Sequence, residues 1–208
     1  MRIGRLIAAV VIIVIIAVIA AGSYVMSRGF SARLEPNQIE KFIAPRLRNL
    51  AIPSKAREAK NPVADSPDVF AEALDHYADH CSVCHGNDGS AGTMISRGMF
   101  PKVPDLRKAG TQKLSDGEIY YIIENGVRYT GMPAFGEDSN EANDEDTWKL
   151  VTFIRHIPTL TPEQINQIDQ MSPKSPTDLK REEEINSFLQ GGDVPVSNEH
   201  EHHHHQHQ

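Results

Sequence analysis

Only two cysteines occur in the 208 residues, and they stand as Cys81-Ser82-Val83-Cys84 with His85 directly after. On one helical turn this spacing turns both thiols toward one edge and brings an imidazole up beside them. Covalent attachment of a porphyrin asks for that arrangement. Two sulfurs form thioethers with the vinyl groups, and the histidine reaches the iron from one face. The run is therefore read as holding one covalent haem c through Cys81 and Cys84, with His85 as an iron ligand. A redox dithiol would want a strand before it and a helix after it. Here an apolar helical stripe precedes and a glycine-rich stretch follows. A zinc site needs two more ligands, which His76 and His80 could supply. A disulfide framework would need more cysteines.

Such a haem is expected outside the cytoplasm, and the amino terminus agrees. Leu6–Ala21 is an unbroken apolar run that Gly22–Met26 extend without charge. About 20 such residues cross a bilayer core as a helix. Arg2 and Arg5 precede the run and keep the amino terminus in the cytoplasm. The competing reading is a cleaved signal peptide. The apolar run is longer than a signal core usually is, so a single-pass anchor in the cytoplasmic (inner) membrane is preferred. Either way the body is exported to the periplasm.

Periodicity divides the rest. Residues 1–27 form the anchor and 28–67 a juxtamembrane linker. Within the linker Ile39, Phe42, Ile43, Leu47 and Leu50 make a short amphipathic stripe, with Pro45 as a kink or break. Pro53, Pro62 and Pro67 punctuate the rest of the linker. Residues 68–158 form the main domain. Val69, Phe70, Ala73, Leu74 and Tyr77 predict a helix over 68–80, and 87–98 and 101–106 read as loops. Ser115-Asp116-Gly117-Glu118 is a capping box that opens a short helix ending at Asn125-Gly126. A further helix is predicted over 147–156. Residues 159–192 form a helical extension, with a second capping box at Thr161-Pro162-Glu163-Gln164. Residues 193–208 form a histidine-rich tail expected to be disordered. No strand alternation is evident, so the fold class is all-α.

A low-spin electron-transfer haem takes a second axial ligand. The candidates are Met94, Met99, Met132 and Met171. Met132 sits in a loop between Gly131, which permits close backbone approach, and Pro133, which stiffens it. Met94 and Met99 follow His85 too soon for the chain to wrap the ring, and Met171 lies past the main domain. Those three are read as apolar filler. His156 is the rival ligand, although a helix-end histidine more often meets the last carbonyls.

Residues 68–158 resemble the class I cytochrome c fold. The matches are Cys-Ser-Val-Cys-His-Gly at 81–86, Pro104-Asp105-Leu106, the Tyr120–Gly126 helix, Gly131-Met132-Pro133-Ala134-Phe135 and the helix from Trp148 to His156. The resemblance implies crossing amino- and carboxy-terminal helices around a haem crevice lined by loops, with Pro104 and Tyr121 near the haem. It implies a carrier of single electrons whose iron is closed by His85 and Met132, and no enzyme activity. Its partners would be redox proteins or a membrane electron-transfer complex. A haem enzyme or sensor is the alternative if Met132 is not a ligand.

Charge narrows the partners. The net charge is −7, yet residues 1–60 hold ten Lys/Arg against three Asp/Glu, while 61–208 hold eleven against twenty-five. An acidic body disfavours nucleic acid. The basic stretch beside the anchor is read either as lying near anionic headgroups or as a solvated linker. The chain ends with His200, His202, His203, His204, His205 and His207. Such a tract binds Cu(II), Ni(II) or Zn(II) by composition. A purification tag is the competing reading, but Glu201 and Gln206 interrupt the run. A haem protein that serves copper or nickel handling through this tail is the third functional reading.

Overall fold

The computed structural model describes residues 2–29, 31–136, 144–174 and 176–191. The tail histidines 200, 202–205 and 207 lie outside the described residues. Among the described residues every regular element is helical, and the fold is all-α as expected. The helices are α1 (Arg2–Arg28), α2 (Gln38–Ala51), α3 (Ser54–Glu58), α4 (Pro67–His80), α5 (Ser82–His85), α6 (Met94–Arg97), α7 (Ala109–Gln112), α8 (Asp116–Asn125), α9 (Glu145–His156), α10 (Pro162–Met171) and α11 (Pro176–Leu189).

Local signals start most of the long helices. Ser66 caps α4 by accepting from the Val69 amide, with Pro67 in the first turn. The boxes at Ser115/Glu118 and Thr161/Gln164 form with both reciprocal bonds, opening α8 and α10. Asp144 caps α9. Of the kink or break expected at Pro45, the break is absent: the amphipathic stripe is one helix that runs through it. Residues 94–97, expected as loop, form the single turn α6, capped by the Thr93 hydroxyl.

The core is built where α4 meets α9. Phe153 packs between Phe70 and Tyr77, with ring centroids 5.3 and 4.9 Å away. Leu74, Tyr77, Val151 and Phe153 are fully buried there. Lys149 bridges the helices by an ion pair to Glu72 at 2.8 Å. α8 joins through the stack of Tyr120 on Trp148, centroids 4.1 Å apart. Arg155 clamps the start of α8 to α9, reaching the carbonyls of Gln112 and Leu114 and the Asp116 carboxylate at 2.7 Å.

Both flanks dock onto this core. On the amino-terminal side Ile52 is buried, the Ser115 hydroxyl donates to the Arg57 carbonyl (2.9 Å), and Asn61 donates to the Trp148 carbonyl (3.0 Å). α3 lies so close to α8 that a Cβ on Gly117 would stand 1.9 Å from the Ala56 oxygen. On the carboxy-terminal side α10 folds back over α4 and buries Ile168 completely. α1 contrasts with all of this. Ile3–Ser27 contains an 18-residue window of mean hydropathy 3.1, none of it buried, and is long and apolar enough to cross a membrane.

Candidate haem-attachment site

The cysteine run begins where α4 ends. Cys81 caps α4, its amide donating to the Tyr77 carbonyl, and α5 then carries Ser82 to His85. The His85 amide donates to the Cys81 carbonyl at 2.9 Å, so the two cysteines and the histidine share one turn. Gly86 ends that turn with φ of +79°. Three side chains outside the motif hold it. The buried Tyr77 hydroxyl donates to the Gly86 carbonyl at 2.7 Å. The Ser82 hydroxyl lies 2.7 Å from the Ala78 carbonyl and 2.8 Å from the Ser172 hydroxyl at the end of α10. Asn87 donates to Asp169 on α10 at 2.7 Å. The carboxy-terminal extension therefore braces the motif directly.

The donor atoms suit a covalent haem. Both cysteines are free. Burial pushes the Cys81 thiol up to about 12, with Cys84 adding to it, and burial also raises Cys84. A redox dithiol would instead carry a lowered thiol pKa. Burial lowers the pKa of His85, against a smaller raising effect of the Pro104 carbonyl, so the imidazole is neutral, as an iron ligand must be. His85 Nδ1 is buried and makes no hydrogen bond, and the Pro104 carbonyl lies beside the ring. A proton kept on Nδ1 would leave Nε2 free for iron. Pro104 itself is exposed, and Tyr121 is half-buried on α8. No group of three or more His, Cys, Asp or Glu able to hold a metal ion exists among the described residues. His76 and His80 meet edge-to-face with centroids 4.9 Å apart and do not complete a zinc set with the cysteines.

The loop after the motif is held by charge. Arg107 bridges Asp105 (2.9 Å) and Asp88 (2.8 Å), and the Leu106 amide donates to the Gly89 carbonyl at 2.8 Å. Arg107 holds the Asp105 carboxyl at about 2.

The Met132 loop folds back onto the end of α8. The Val127 amide donates to the Met132 carbonyl (3.2 Å), the Met132 amide to the Thr130 hydroxyl (3.1 Å), and the Phe135 amide to the Ile123 carbonyl (3.1 Å). Met132 is half-buried against the core. The close approach at Gly131 comes from Met99: a Cβ on Gly131 would stand 2.9 Å from its sulfur. By sequence Met99 reads only as filler, and nothing in its spacing marks it as the neighbour of this loop. Met94 and Met171 are exposed, so neither fills a core. His156 does not cap its own helix. Its Nε2 lies 2.9 Å from the Asp65 carboxylate and its ring meets Phe70 edge-on.

Residues 69–154 match the family model described as cytochrome c oxidase, cbb3-type, subunit III. The match runs from α4 to α9 and supports a c-type cytochrome domain in this part of the chain, with haem-based electron transfer as its chemistry. No curated protein matches the chain.

Proposed function

We propose that this chain is a membrane-anchored, periplasmic monohaem cytochrome of class I that carries single electrons through iron ligated by His85 and Met132. The observation that carries this reading is the α5 turn, where Cys81, Cys84 and His85 stand together, the His85 Nδ1 buried and without a hydrogen-bond partner. A haem held there supplies one-electron chemistry at its iron. The protein's part is to hold and orient. Tyr77 and Ser172 fix the turn, the Pro104 carbonyl stands beside the histidine ring, and the hydrogen-bonded loop 127–136 presents Met132. With His85 and Met132 both holding the iron, no position would be left for a substrate, so no catalytic activity is assigned. α1 is the anchor, and a haem c attached covalently at Cys81–His85 belongs outside the cytoplasm, so the haem domain lies in the periplasm. The matched family's name points to a membrane oxidase or a redox protein serving one as partner.

The test is spectroscopic. The full chain, matured in a host that attaches haem c, should carry one haem per polypeptide. It should show the weak sulfur-to-iron charge-transfer band and fail to bind carbon monoxide when reduced. Met132→Ala should lose the band and take up carbon monoxide, while Met99→Ala should change neither. Rapid carbon monoxide binding by the unaltered protein would overturn the carrier reading. Loss of the band in Met99→Ala alone would move the ligand to Met99.

A further inference from the structure

α2 exposes an apolar stripe that the described protein leaves uncovered. Ile39, Phe42, Ile43, Leu47 and Leu50 recur at helical spacing and are 68%, 58%, 43%, 59% and 75% exposed, and no residue of α2 is buried. Lys41 and Arg48 fall on the opposite side of the helix at 3.6 residues per turn. Arg46 falls within the stripe, but its guanidinium lies 3.5 Å over the Phe42 ring and donates to the Phe42 carbonyl at 2.8 Å. An arginine covers apolar surface in this way while its head seeks a polar level. Beside the stripe, Ile39, Ile43 and Leu47 share an open groove with Phe100, Pro101 and Lys102. Lys102 also donates to the Ala32 carbonyl in the α1–α2 connector at 3.2 Å. The residue before Phe100 is Met99, which packs on the Met132 loop at Gly131.

Two observations select the occupant. First, α1 ends at Arg28 and α2 begins at Gln38. The nine linking residues reach at most about 30 Å. If α1 spans a bilayer, α2 is tethered at its surface. Second, residues 28–60 carry eight Lys/Arg against three Asp/Glu, in a chain whose remainder is acidic. Local positive charge beside an amphipathic stripe is the complement of an anionic lipid surface.

We propose that α2, together with Phe100 and Pro101, lies in the plane of the membrane, its apolar stripe in the headgroup–acyl boundary and its cations among anionic headgroups. This rests on α1 being the anchor. The consequence is functional. The Met99–Lys102 loop, which adjoins the Met132 loop, is held at the bilayer, so the haem-attachment domain presents that side along the membrane, where a membrane-embedded partner can reach it.

The test uses the full haem-loaded chain in vesicles containing no other protein, made of phosphatidylcholine alone or with phosphatidylglycerol. Spin labels are placed singly at Leu47→Cys and Lys41→Cys. Cys81 and Cys84 are closed by haem, so a label count above one per chain would report failed haem attachment separately. The Leu47 label should lose broadening by a water-soluble nickel chelate and keep broadening by oxygen, more completely in the anionic vesicles. The Lys41 label should stay open to nickel. Equal nickel access at both sites in both lipids would overturn the proposal. So would shielding that appears with spin–spin coupling and fades on dilution with lipid, since that marks a second copy as the occupant. A carbonate wash tests the anchor independently: release of the chain would refute α1 as a span, while the two labels still decide the fate of α2.

Discussion

Replacing Tyr77 by phenylalanine isolates the bond that ties α4 to the end of the haem motif. The hydroxyl donates to the Gly86 carbonyl at 2.7 Å, and the ring is fully buried against Phe153. Phenylalanine keeps the ring, so no large cavity forms. The Gly86 carbonyl also keeps its bond from the Gly89 amide at 3.1 Å, so it is not left orphaned. The expected cost at neutral pH is therefore about 1 kcal/mol, the net worth of one hydrogen bond, and not the larger penalty of a stranded acceptor. Burial also raises the pKa of this phenol above its ordinary 10.0. The unfolded chain then releases a proton above that pH while the folded chain keeps it, so this contribution to stability falls as pH rises. The loss is about 1.4 kcal/mol per pH unit. Tyr77→Phe has no such group and loses none of it. The deficit of the variant should shrink above pH ~10 and vanish near pH ~11, where the two effects cancel. Denaturant titrations of the full chain in mild detergent can follow Trp148, the one tryptophan, as unfolding relieves quenching by the haem. A deficit constant from neutral to alkaline pH would refute the buried, neutral phenol. A deficit above about 3 kcal/mol at neutral pH would refute the argument that Gly89 shares the load.

The loops and the extension supply two further predictions. Arg107→Ala should move the acid-unfolding midpoint to higher pH. A carboxyl held at about 2 stabilises the fold above its ordinary pKa of 3.8, and that stability is lost as pH falls toward 2. Because Arg107 is partly exposed, the loss at neutral pH should stay below about 1 kcal/mol and shrink in high salt. An acid titration of Trp148 fluorescence at two salt concentrations checks both, and an unmoved midpoint would refute the clamp. Ser172→Ala should cost about 1 kcal/mol and speed amide exchange across residues 82–87, because the hydroxyl joins α10 to Ser82. Unchanged exchange there, measured by mass spectrometry, would mean that α10 does not brace the motif.

Much of the architecture is legible from local chemistry. Capping boxes are short-range devices, so Ser115 and Thr161 announce α8 and α10 within a residue or two. The cysteine–histidine run is equally local, since three donors on one turn need only helical geometry. Pro45 leaves a kink and a break both open from the sequence, and the helix continues through it with one missing amide bond.

Other features need the folded chain because they join residues far apart in sequence. Tyr77 looks like one more apolar position on the α4 stripe, and its hydroxyl gains meaning only because the chain returns through Gly86. Ser172 and Asn87 are ordinary surface polar residues until α10 folds back on α4. Met99 looks like filler until the loop after α6 meets Gly131. Residues around Ile52 and Asn61 lack a helical signature, yet they dock on α8 and α9 because those helices present carbonyls and a glycine gap there. The Cys81–His85 turn can thus be recognised from its own five residues. What holds that turn, and what stands beside Met132, comes from distant segments whose meeting is set by burial of the shared core.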